Sequence, residues 1–215
     1  MLNVLYPDID WSHIKYIGFD LDGTLYDEFG FIVQTYKNII LANNKFFRIE
    51  DQTKILEFMT ERWLHKGSSY NRIFEETFNQ YATRNMSFQK EFIDNALSIF
   101  RTFVPDILLP ERNSAILSYI KKNSYNIFLI TDGNVELQSQ KIRSLGLDKV
   151  FNNNIFFTRK FGSEYEKPST KILKYINMSS SPDKIVYAGD REVDKLFAEG
   201  AGFQFLKVYN LIYCR

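Results

Sequence analysis

The stretch IKYIGFDLDGTLYD, residues 14–27, joins a run of apolar residues to two closely spaced aspartates, Asp20 and Asp22. A carboxylate at the tip of a buried strand loses hydration, and that loss is costly unless another group compensates it. Side chains at i and i+2 of a strand point to the same face, where two like charges repel and raise each other's pKa. Gly23 permits a sharp turn or a close approach to a ligand. We therefore interpret this stretch as the end of a buried strand that carries a functional site.

Charge and cysteine content narrow the class of protein. The 215 residues include 27 Lys and Arg against 26 Asp and Glu, so the net charge of +1 creates no global attraction for nucleic acid or an anionic membrane. The single cysteine, Cys214, excludes an internal disulfide bond. The beginning, MLNVLYPDIDW, lacks the pattern of a signal peptide, and no apolar run approaches the ~20 residues that span a bilayer. We expect a soluble, cytoplasmic protein without nucleic-acid or membrane partners.

Short apolar runs alternate with helical patterns along most of the chain. The predicted strands are 16–21, 126–131, 155–158, 185–189 and 203–208. The predicted helices between and after them are 110–123, 134–147, 167–178 and 191–202. This alternation is typical of βαβ units, and it predicts an α/β fold with a Rossmann-like, doubly wound parallel sheet.

One segment interrupts the alternation with about seventy residues of helical pattern and no convincing strand. Its helical windows are 31–44, 51–65, 69–83 and 87–103. The segment is too long for a simple crossover, so we predict an inserted α-helical domain at 31–104 and a core domain formed by 1–30 and 105–215. Extra helices packed on the same core are the alternative.

Polar side chains follow several of the predicted strands. Thr131 ends the second strand, Asp190 follows the fourth, and Asp194 lies one helical turn further on. Lys167 precedes a proline at the start of a predicted helix. Alone, each has an ordinary explanation as a strand residue, a helix cap or a solvated charge. Because the carboxyl ends of parallel strands meet at one edge of a sheet, their joint occurrence predicts a ligand site there.

The chemistry of these side chains favours a hard divalent cation. Carboxylate oxygens with open positions suit Mg²⁺, which keeps its waters and a substrate phosphate. Zinc is disfavoured, since Cys214 is close to the terminus and neither His13 nor His65 has a ligand-spaced partner. The chain contains no G-x-x-x-x-G-K-[ST] and no G-x-S-x-G motif, which argues against a P-loop nucleotide enzyme and a serine hydrolase of the elbow type.

Four motifs in order resemble the signature of the haloacid dehalogenase-like hydrolase superfamily. They are FDLDGTLYD, FLITDGN, EKPS and VYAGDREVD, and together with the predicted strand that leads into the first of them they extend from residue 16 to residue 194. The helical insertion after the first motif is similar to the cap of the subfamily with an α-helical cap in that position. The resemblance implies a Rossmann-like α/β core with an inserted helical cap domain, which closes over the site and supplies selectivity.

The resemblance also implies roles for individual residues. Asp20 would be the nucleophile that forms an aspartyl-phosphate, and Asp22 would be the general acid and then the general base. The groups that hold the phosphoryl oxygens would be Thr131, Lys167 and backbone N–H groups near Leu21, Asp132 and Gly133. The Mg²⁺ ligands would be Asp20, Asp190 and the backbone carbonyl of Asp22, with Asp194 acting directly, through water or through Lys167. A bound metal and substrate would then compensate the carboxylates at the strand tip.

The implied activity is Mg²⁺-dependent hydrolysis of a phosphomonoester. The dehalogenases of the superfamily lack the acid/base aspartate and need no metal, whereas Asp22 and Asp190 are present here. A sugar phosphate, phosphoglycolate or a nucleoside monophosphate would fit as the small phosphorylated substrate. The alternatives are a phosphomutase such as a β-phosphoglucomutase, a non-catalytic binding protein, and a phosphonate hydrolase, which would need a cap lysine. The lysines available by position for that last role are Lys37, Lys45, Lys54 and Lys66.

Overall fold

The computed structural model describes residues 1–68 and 70–208 of the chain. Two compact units are present, a core unit formed by Met1–Glu28 with the chain from Ile107 onward, and a helical unit, Phe29–Asp106. Cys214 and the first residue of the helical window 69–83 lie outside the described residues. Within the described ranges, no helix combines the length and hydropathy needed to cross a bilayer.

The core unit contains a parallel sheet of five strands. The strands are β1 (Tyr16–Phe19), β2 (Asn126–Thr131), β3 (Ile155–Phe157), β4 (Ile185–Gly189) and β5 (Gln204–Lys207). They are arranged in the order β3-β2-β1-β4-β5, and every neighbouring pair is parallel. This confirms the predicted Rossmann-like α/β fold and its strands.

Helices connect the strands of the core unit and form most of the helical unit. The α-helices are α1 (Leu2–Leu5), α2 (Glu28–Ala42), α3 (Gln52–Lys66), α4 (Ile73–Tyr81), α5 (Gln89–Thr102), α6 (Glu111–Lys122), α7 (Val135–Ser144), α8 (Asp148–Phe151) and α9 (Glu192–Ala201). Short 3₁₀ helices lie at Asn44–Phe46, Ile49–Asp51, Met86–Phe88, Thr158–Lys160, Ser163–Tyr165, Thr170–Tyr175 and Pro182–Lys184.

The predicted helix 167–178 is wrong in extent and type. The structure has only a 3₁₀ helix, Thr170–Tyr175, and the Ser169 side chain accepts a hydrogen bond from Lys171 N at its beginning. Within this element Thr170 and Ile172 are β-branched and Tyr175 is aromatic, which lowers the preference for a regular α-helix. Burial of Ile172 against the sheet supports the shorter element instead.

The sheet brings its polar strand ends together. From β1 the chain order runs outward through β2 and β3 on one side and through β4 and β5 on the other. Such a reversal opens a crevice at the carboxyl ends of the strands. The register pairs Phe19 of β1 with Leu129 and with Ala188, so the residues that follow β1, β2 and β4 emerge at the same edge.

Each unit has its own apolar core. In the core unit, aromatic rings of β2, β4 and α9 pack together, with Tyr187 and Phe197 4.8 Å apart between ring centroids. In the helical unit, Phe46, Phe78 and Phe92 are buried and their rings pack against one another at 5.6 to 6.0 Å. The burial of these rings supplies the main stabilisation of each unit.

Candidate active site

Three carboxylates meet at the carboxyl ends of β1 and β4. Asp20 and Asp194 are buried and Asp190 is half-buried, and one carboxylate oxygen from each lies within 4.8 Å of the others. Asp20 follows β1 and is fixed by its backbone N–H, which donates to Ala188 O at 2.9 Å. The sequence-predicted convergence of acidic groups from separate strands is therefore present.

Lys167 lies between two of these carboxylates. Its Nζ donates to Asp20 Oδ1 and to Asp194 Oδ1, each at 2.5 Å, and lies 3.9 Å from Asp132 Oδ2. Lysine is almost never fully buried without such partners. The other oxygen of Asp194 accepts from Arg191 N at 3.0 Å at the start of α9. Both oxygens of Asp194 thus have donors within the protein.

Gly23 allows Asp190 to approach the loop after β1. Gly23 has φ +75°, and a Cβ at this position would overlap the carboxylate of Asp190. Thr24 is buried beside them, with its Oγ1 3.4 Å from Asp20 Oδ2 and 3.5 Å from Asp190 Oδ1. Gly23 and Thr24 therefore allow Asp190, which follows β4, to lie close to the loop after β1.

The cluster carries more negative charge than its cations balance. Burial raises the pKa of Asp20 to about 8, with Asp194 acting in the same direction and Lys167 opposing it. Burial and Asp194 also raise the pKa of Asp190. Burial disfavours the charged form of Lys167, but Asp20 and the other nearby acidic groups hold its pKa well above the ordinary value. An additional cation beside Asp20 and Asp190 would relieve this imbalance.

The second motif lies next to Lys167. Thr131 is buried at the end of β2, and the carboxylate of Asp132 accepts from Thr158 Oγ1 at 2.8 Å and from Lys167 N at 3.3 Å. Gly133 has φ +95°, and its N–H, a predicted phosphate donor, here donates to Glu166 Oε1 at 3.3 Å. A phosphate at this N–H would replace that contact.

The carboxylate of Asp22 has different partners from that of Asp20. β1 ends at Phe19, so strand alternation does not extend to Asp22, and its carboxylate is not in the three-carboxylate cluster. Asp22 Oδ1 accepts from Tyr26 Oη at 2.5 Å and from Lys141 Nζ at 2.7 Å. Burial opposes ionisation, but Lys141 and these hydrogen bonds lower the pKa of Asp22. The cation that compensates Asp22 is therefore a lysine of the protein.

The surroundings of Asp22 include residues that the sequence reasoning missed. Gln138 Nε2 donates to Asp22 Oδ2 and to Thr131 Oγ1, both at 2.6 Å, and Glu28 Oε1 lies 3.5 Å from Lys141 Nζ. Gln138 and Lys141 lie three residues apart in α7, a spacing that places them on one face. This spacing is the signal in the sequence that could have identified the two residues. It is a weak signal, because polar residues on a helix are usually solvated.

Arg191, for which the sequence indicates no role, faces the same acidic groups. Burial opposes its charge, but Asp20, Asp194, Asp190 and Glu28 hold its pKa well above the ordinary value. Its Nε is buried and has no hydrogen-bond partner among the described residues. The guanidinium therefore adds a second positive charge to the surroundings of these carboxylates.

Comparison of the sequence with family models identifies most of the chain. Residues 14–202 match the model described as haloacid dehalogenase-like hydrolase. No curated protein matches the chain in a sequence search.

Solved structures share this fold. A hydrolase of subfamily IA from Geobacter sulfurreducens PCA has a TM-score of 0.67 at 22% identity, covering 91% of this chain and 87% of its own. YfnB of Bacillus subtilis, assigned as a HAD-hydrolase and bound to magnesium, has a TM-score of 0.66 at 15% identity, with coverages of 89% and 85%. A predicted phosphoglycolate phosphatase from Haemophilus somnus has a TM-score of 0.63 at 17% identity, with coverages of 91% and 85%.

Proposed function

The chain belongs to the haloacid dehalogenase-like hydrolase family. From this premise we propose that it is a phosphomonoesterase that forms an aspartyl-phosphate on Asp20. The observation that carries the proposal is the arrangement around Asp20, whose carboxylate contacts Lys167 and lies within 4.8 Å of oxygens of Asp190 and Asp194. An anionic nucleophile can approach an anionic phosphate only where positive charge is concentrated.

In the first half-reaction, one carboxylate oxygen of Asp20 attacks phosphorus. The bond between phosphorus and the ester oxygen breaks, and its electron pair remains on the leaving oxygen. The carboxyl group of Asp22, when protonated, donates its proton to that oxygen, which departs as an alcohol. Lys167 balances the charge of the phosphoryl oxygens during this transfer.

In the second half-reaction, water attacks the phosphorus of the aspartyl-phosphate. Asp22, now a carboxylate, accepts a proton from the water, and the bond between phosphorus and Asp20 breaks. The products are inorganic phosphate and the original Asp20 carboxylate. The lowered pKa of Asp22 favours the ionised form that this step needs and disfavours the protonated form that the first half-reaction needs.

The donor set fits Mg²⁺. Three carboxylates with an excess of negative charge are the kind of oxygen ligands that this ion prefers. Asp20, Asp190 and the backbone carbonyl of Asp22 would hold it, whereas the two hydrogen bonds of Asp194 favour a role in orienting Lys167. When bound, Mg²⁺ supplies positive charge that offsets the repulsion between Asp20 and the phosphate.

Thr131, Lys167 and the backbone N–H groups of Asp132 and Gly133 are proposed to hold the phosphoryl oxygens. These groups recognise the phosphate and carry no information about the rest of the substrate. We further propose that the helical segment 31–104 is a cap domain that selects a small phosphorylated metabolite, such as a sugar phosphate, phosphoglycolate or a nucleoside monophosphate.

A phosphate-release screen over such metabolites tests the proposal. The purified protein is assayed with Mg²⁺ and with a chelator, beside an Asp20→Asn variant and an Asp8→Asn control that alters an exposed aspartate. We expect turnover only with the metal, a loss of several orders of magnitude in Asp20→Asn, and full activity in Asp8→Asn. Activity that survives Asp20→Asn would contradict the role of Asp20.

The same screen separates hydrolysis from phosphoryl transfer between positions of a sugar. A hydrolase releases inorganic phosphate in proportion to the substrate consumed. A phosphomutase would instead convert a sugar phosphate into its isomer without accumulating inorganic phosphate, and this result would replace the hydrolase proposal.

A further inference from the structure

The carboxylate of Asp22 is held by three donors from two parts of the core unit. Tyr26 Oη and Lys141 Nζ donate to Oδ1 at 2.5 and 2.7 Å, and Gln138 Nε2 donates to Oδ2 at 2.6 Å. Charge-assisted hydrogen bonds of this length are the stronger ones in proteins. They determine the direction in which the carboxylate of Asp22 points.

The two donors on α7 are unusual for helix residues. Gln138 and Lys141 are exposed by only 3% and 2%, although lysine is among the residues least often buried. Burying an ammonium and an amide costs free energy unless both are paired. Since α7 has exposed positions where both would be solvated, their burial beside Asp22 indicates a specific use.

Gln138 also connects Asp22 to the proposed phosphate-binding residue Thr131. Its Nε2 donates to Thr131 Oγ1 at 2.6 Å, so this hydroxyl oxygen already accepts a hydrogen bond. The Thr131 hydroxyl hydrogen has one acceptor among the described residues, Asp132 O at the long distance of 3.4 Å, so it can turn toward a phosphoryl oxygen. One side chain thus orients two groups that would meet the same substrate.

Glu28 gives Lys141 a second carboxylate. Its Oε1 lies 3.5 Å from Lys141 Nζ, on a side chain that is 13% exposed. Lys141 Nζ therefore lies between two carboxylates, and both fix the position from which it donates to Asp22.

We propose that Gln138 and Lys141 are positioning residues that hold Asp22 where it can protonate the leaving oxygen. The inference rests on the proposed phosphomonoesterase function and adds to it two residues outside the four motifs. Neither residue contacts the reacting atoms, and each acts through Asp22. General acid catalysis requires the donor to lie within hydrogen-bond reach of the leaving oxygen, so a displaced Asp22 loses the rate enhancement of about 10²- to 10⁴-fold that such catalysis contributes.

The dependence of rate on the leaving group distinguishes positioning from a general structural role. When Asp20 attacks phosphorus and the ester bond breaks, an alkoxide leaving group needs the proton of Asp22. The p-nitrophenolate ion is a weak base and departs without protonation. The quantity kcat/KM reports only the steps up to the first irreversible one. A change in kcat/KM therefore does not include the later step in which Asp22 acts as a base.

The test compares Lys141→Met with an Arg143→Met control, which removes a positive charge from an exposed position of the same helix. Both are assayed with p-nitrophenyl phosphate and with the alkyl phosphate that the wild-type protein hydrolyses fastest. In Lys141→Met we expect kcat/KM to fall about 100-fold or more for the alkyl phosphate and less than about 10-fold for p-nitrophenyl phosphate. Arg143→Met is expected to retain both values.

An equal loss on the two substrates in Lys141→Met would overturn the inference and leave the hydrolase function intact. If Lys141→Met does not fold, Gln138→Leu decides the question, since it retains Lys141 and removes only the amide. Its expected result is again a larger loss on the alkyl phosphate, and an equal loss counts against the inference. A crystal structure of either variant gives a readout without turnover, in which Asp22 is expected to have left its wild-type position. A wild-type protein that releases no phosphate from either substrate would instead contradict the proposed function itself.

Discussion

Glu28 and Asp22 are two acidic residues that share one buried lysine, Lys141. A single ammonium cannot fully balance two carboxylates, so one of them must hold its charge less favourably. The pKa directions assign this cost to Glu28, because the pKa of Asp22 is lowered while that of Glu28 is raised. The carboxylate with the proposed catalytic role is therefore the better stabilised of the two.

Glu28 should make the stability of the protein fall as pH rises. Burial and Asp22 raise the pKa of Glu28 from an ordinary 4.5 to about 7, against the effect of Lys141. Between these values the native state binds more protons than the unfolded state, so the free energy of unfolding decreases with increasing pH. Glu28→Gln removes this dependence, and its stability relative to wild type should increase by about 1 to 3 kcal/mol between about pH 5 and about pH 8.

Urea unfolding of both proteins at the two pH values measures this change. Glu136→Gln, at an exposed position in the first turn of α7, is the control for the loss of a carboxylate, and the pH-dependent gain of Glu28→Gln is expected to exceed that of this variant. A relative stability of Glu28→Gln that stays constant or decreases with pH would show that the charge of Glu28 is not disfavoured in the native protein.

The residues around Asp22 mark the limit of what the sequence predicts. Asp20 and Asp190 could be expected to meet because each follows a strand of one parallel sheet, and Asp194 lies one helical turn after Asp190. Lys167 could be expected beside them from its motif. Lys141 and Gln138 lie on a helix whose other polar residues are mostly solvated, and their partner is 116 to 119 positions away along the chain. Only the packing of α7 beside the end of β1 reveals that these two are buried.

Among the elements, the strands were predictable and one helix was not. Strands buried on both faces appear as short apolar runs, and all five are present near their expected positions. The segment 167–178 has a helical pattern of apolar residues, but the structure has only the 3₁₀ helix Thr170–Tyr175, in which Ile172 is buried in the core cluster. Periodicity reports which residues face the core and cannot distinguish between short helical forms.

Gly18 in the middle of β1 is expected to tolerate no side chain. A Cβ there would overlap the rings of Phe128 and Tyr187, which lie in β2 and β4 on either side. Gly18→Ala should therefore lower the free energy of unfolding by about 1 to 3 kcal/mol, the usual cost of overpacking a core.

Gly30 provides the matched control for this substitution. It lies within α2, and a Cβ there would have no heavy atom within 4 Å. Gly30→Ala should raise stability by up to about 1 kcal/mol, because alanine favours the helix. Equal effects of the two substitutions in chemical denaturation would contradict the proposed tight packing around Gly18.

In the molecule as a whole, the site belongs to the core unit and is assembled from distant parts of its chain. The carboxylates of Asp20 and Asp190 are 170 positions apart in sequence yet lie in one cluster, because β1 and β4 are neighbours in the sheet. The topology therefore concentrates negative charge at one edge, and the folded state carries the electrostatic cost. A divalent cation that binds only the folded chain would offset this cost.

Mg²⁺ should therefore stabilise the folded protein. Binding to the native state alone contributes about 2.7 kcal/mol at a concentration one hundred times the dissociation constant. We expect the melting temperature of the wild-type protein to rise with Mg²⁺ concentration and that of Asp190→Asn to respond much less. An equal rise in both proteins would mean that the ion binds elsewhere.

The most direct test of the account is the position of the phosphoryl group during turnover. The protein is mixed with Mg²⁺ and p-nitrophenyl phosphate, quenched in acid within the first turnovers and digested, and its peptides are examined by mass spectrometry. We predict a phosphoryl group on Asp20 in the wild-type protein and none in Asp20→Asn. Phosphate release by a protein whose phosphoryl group lies on another residue would contradict the account.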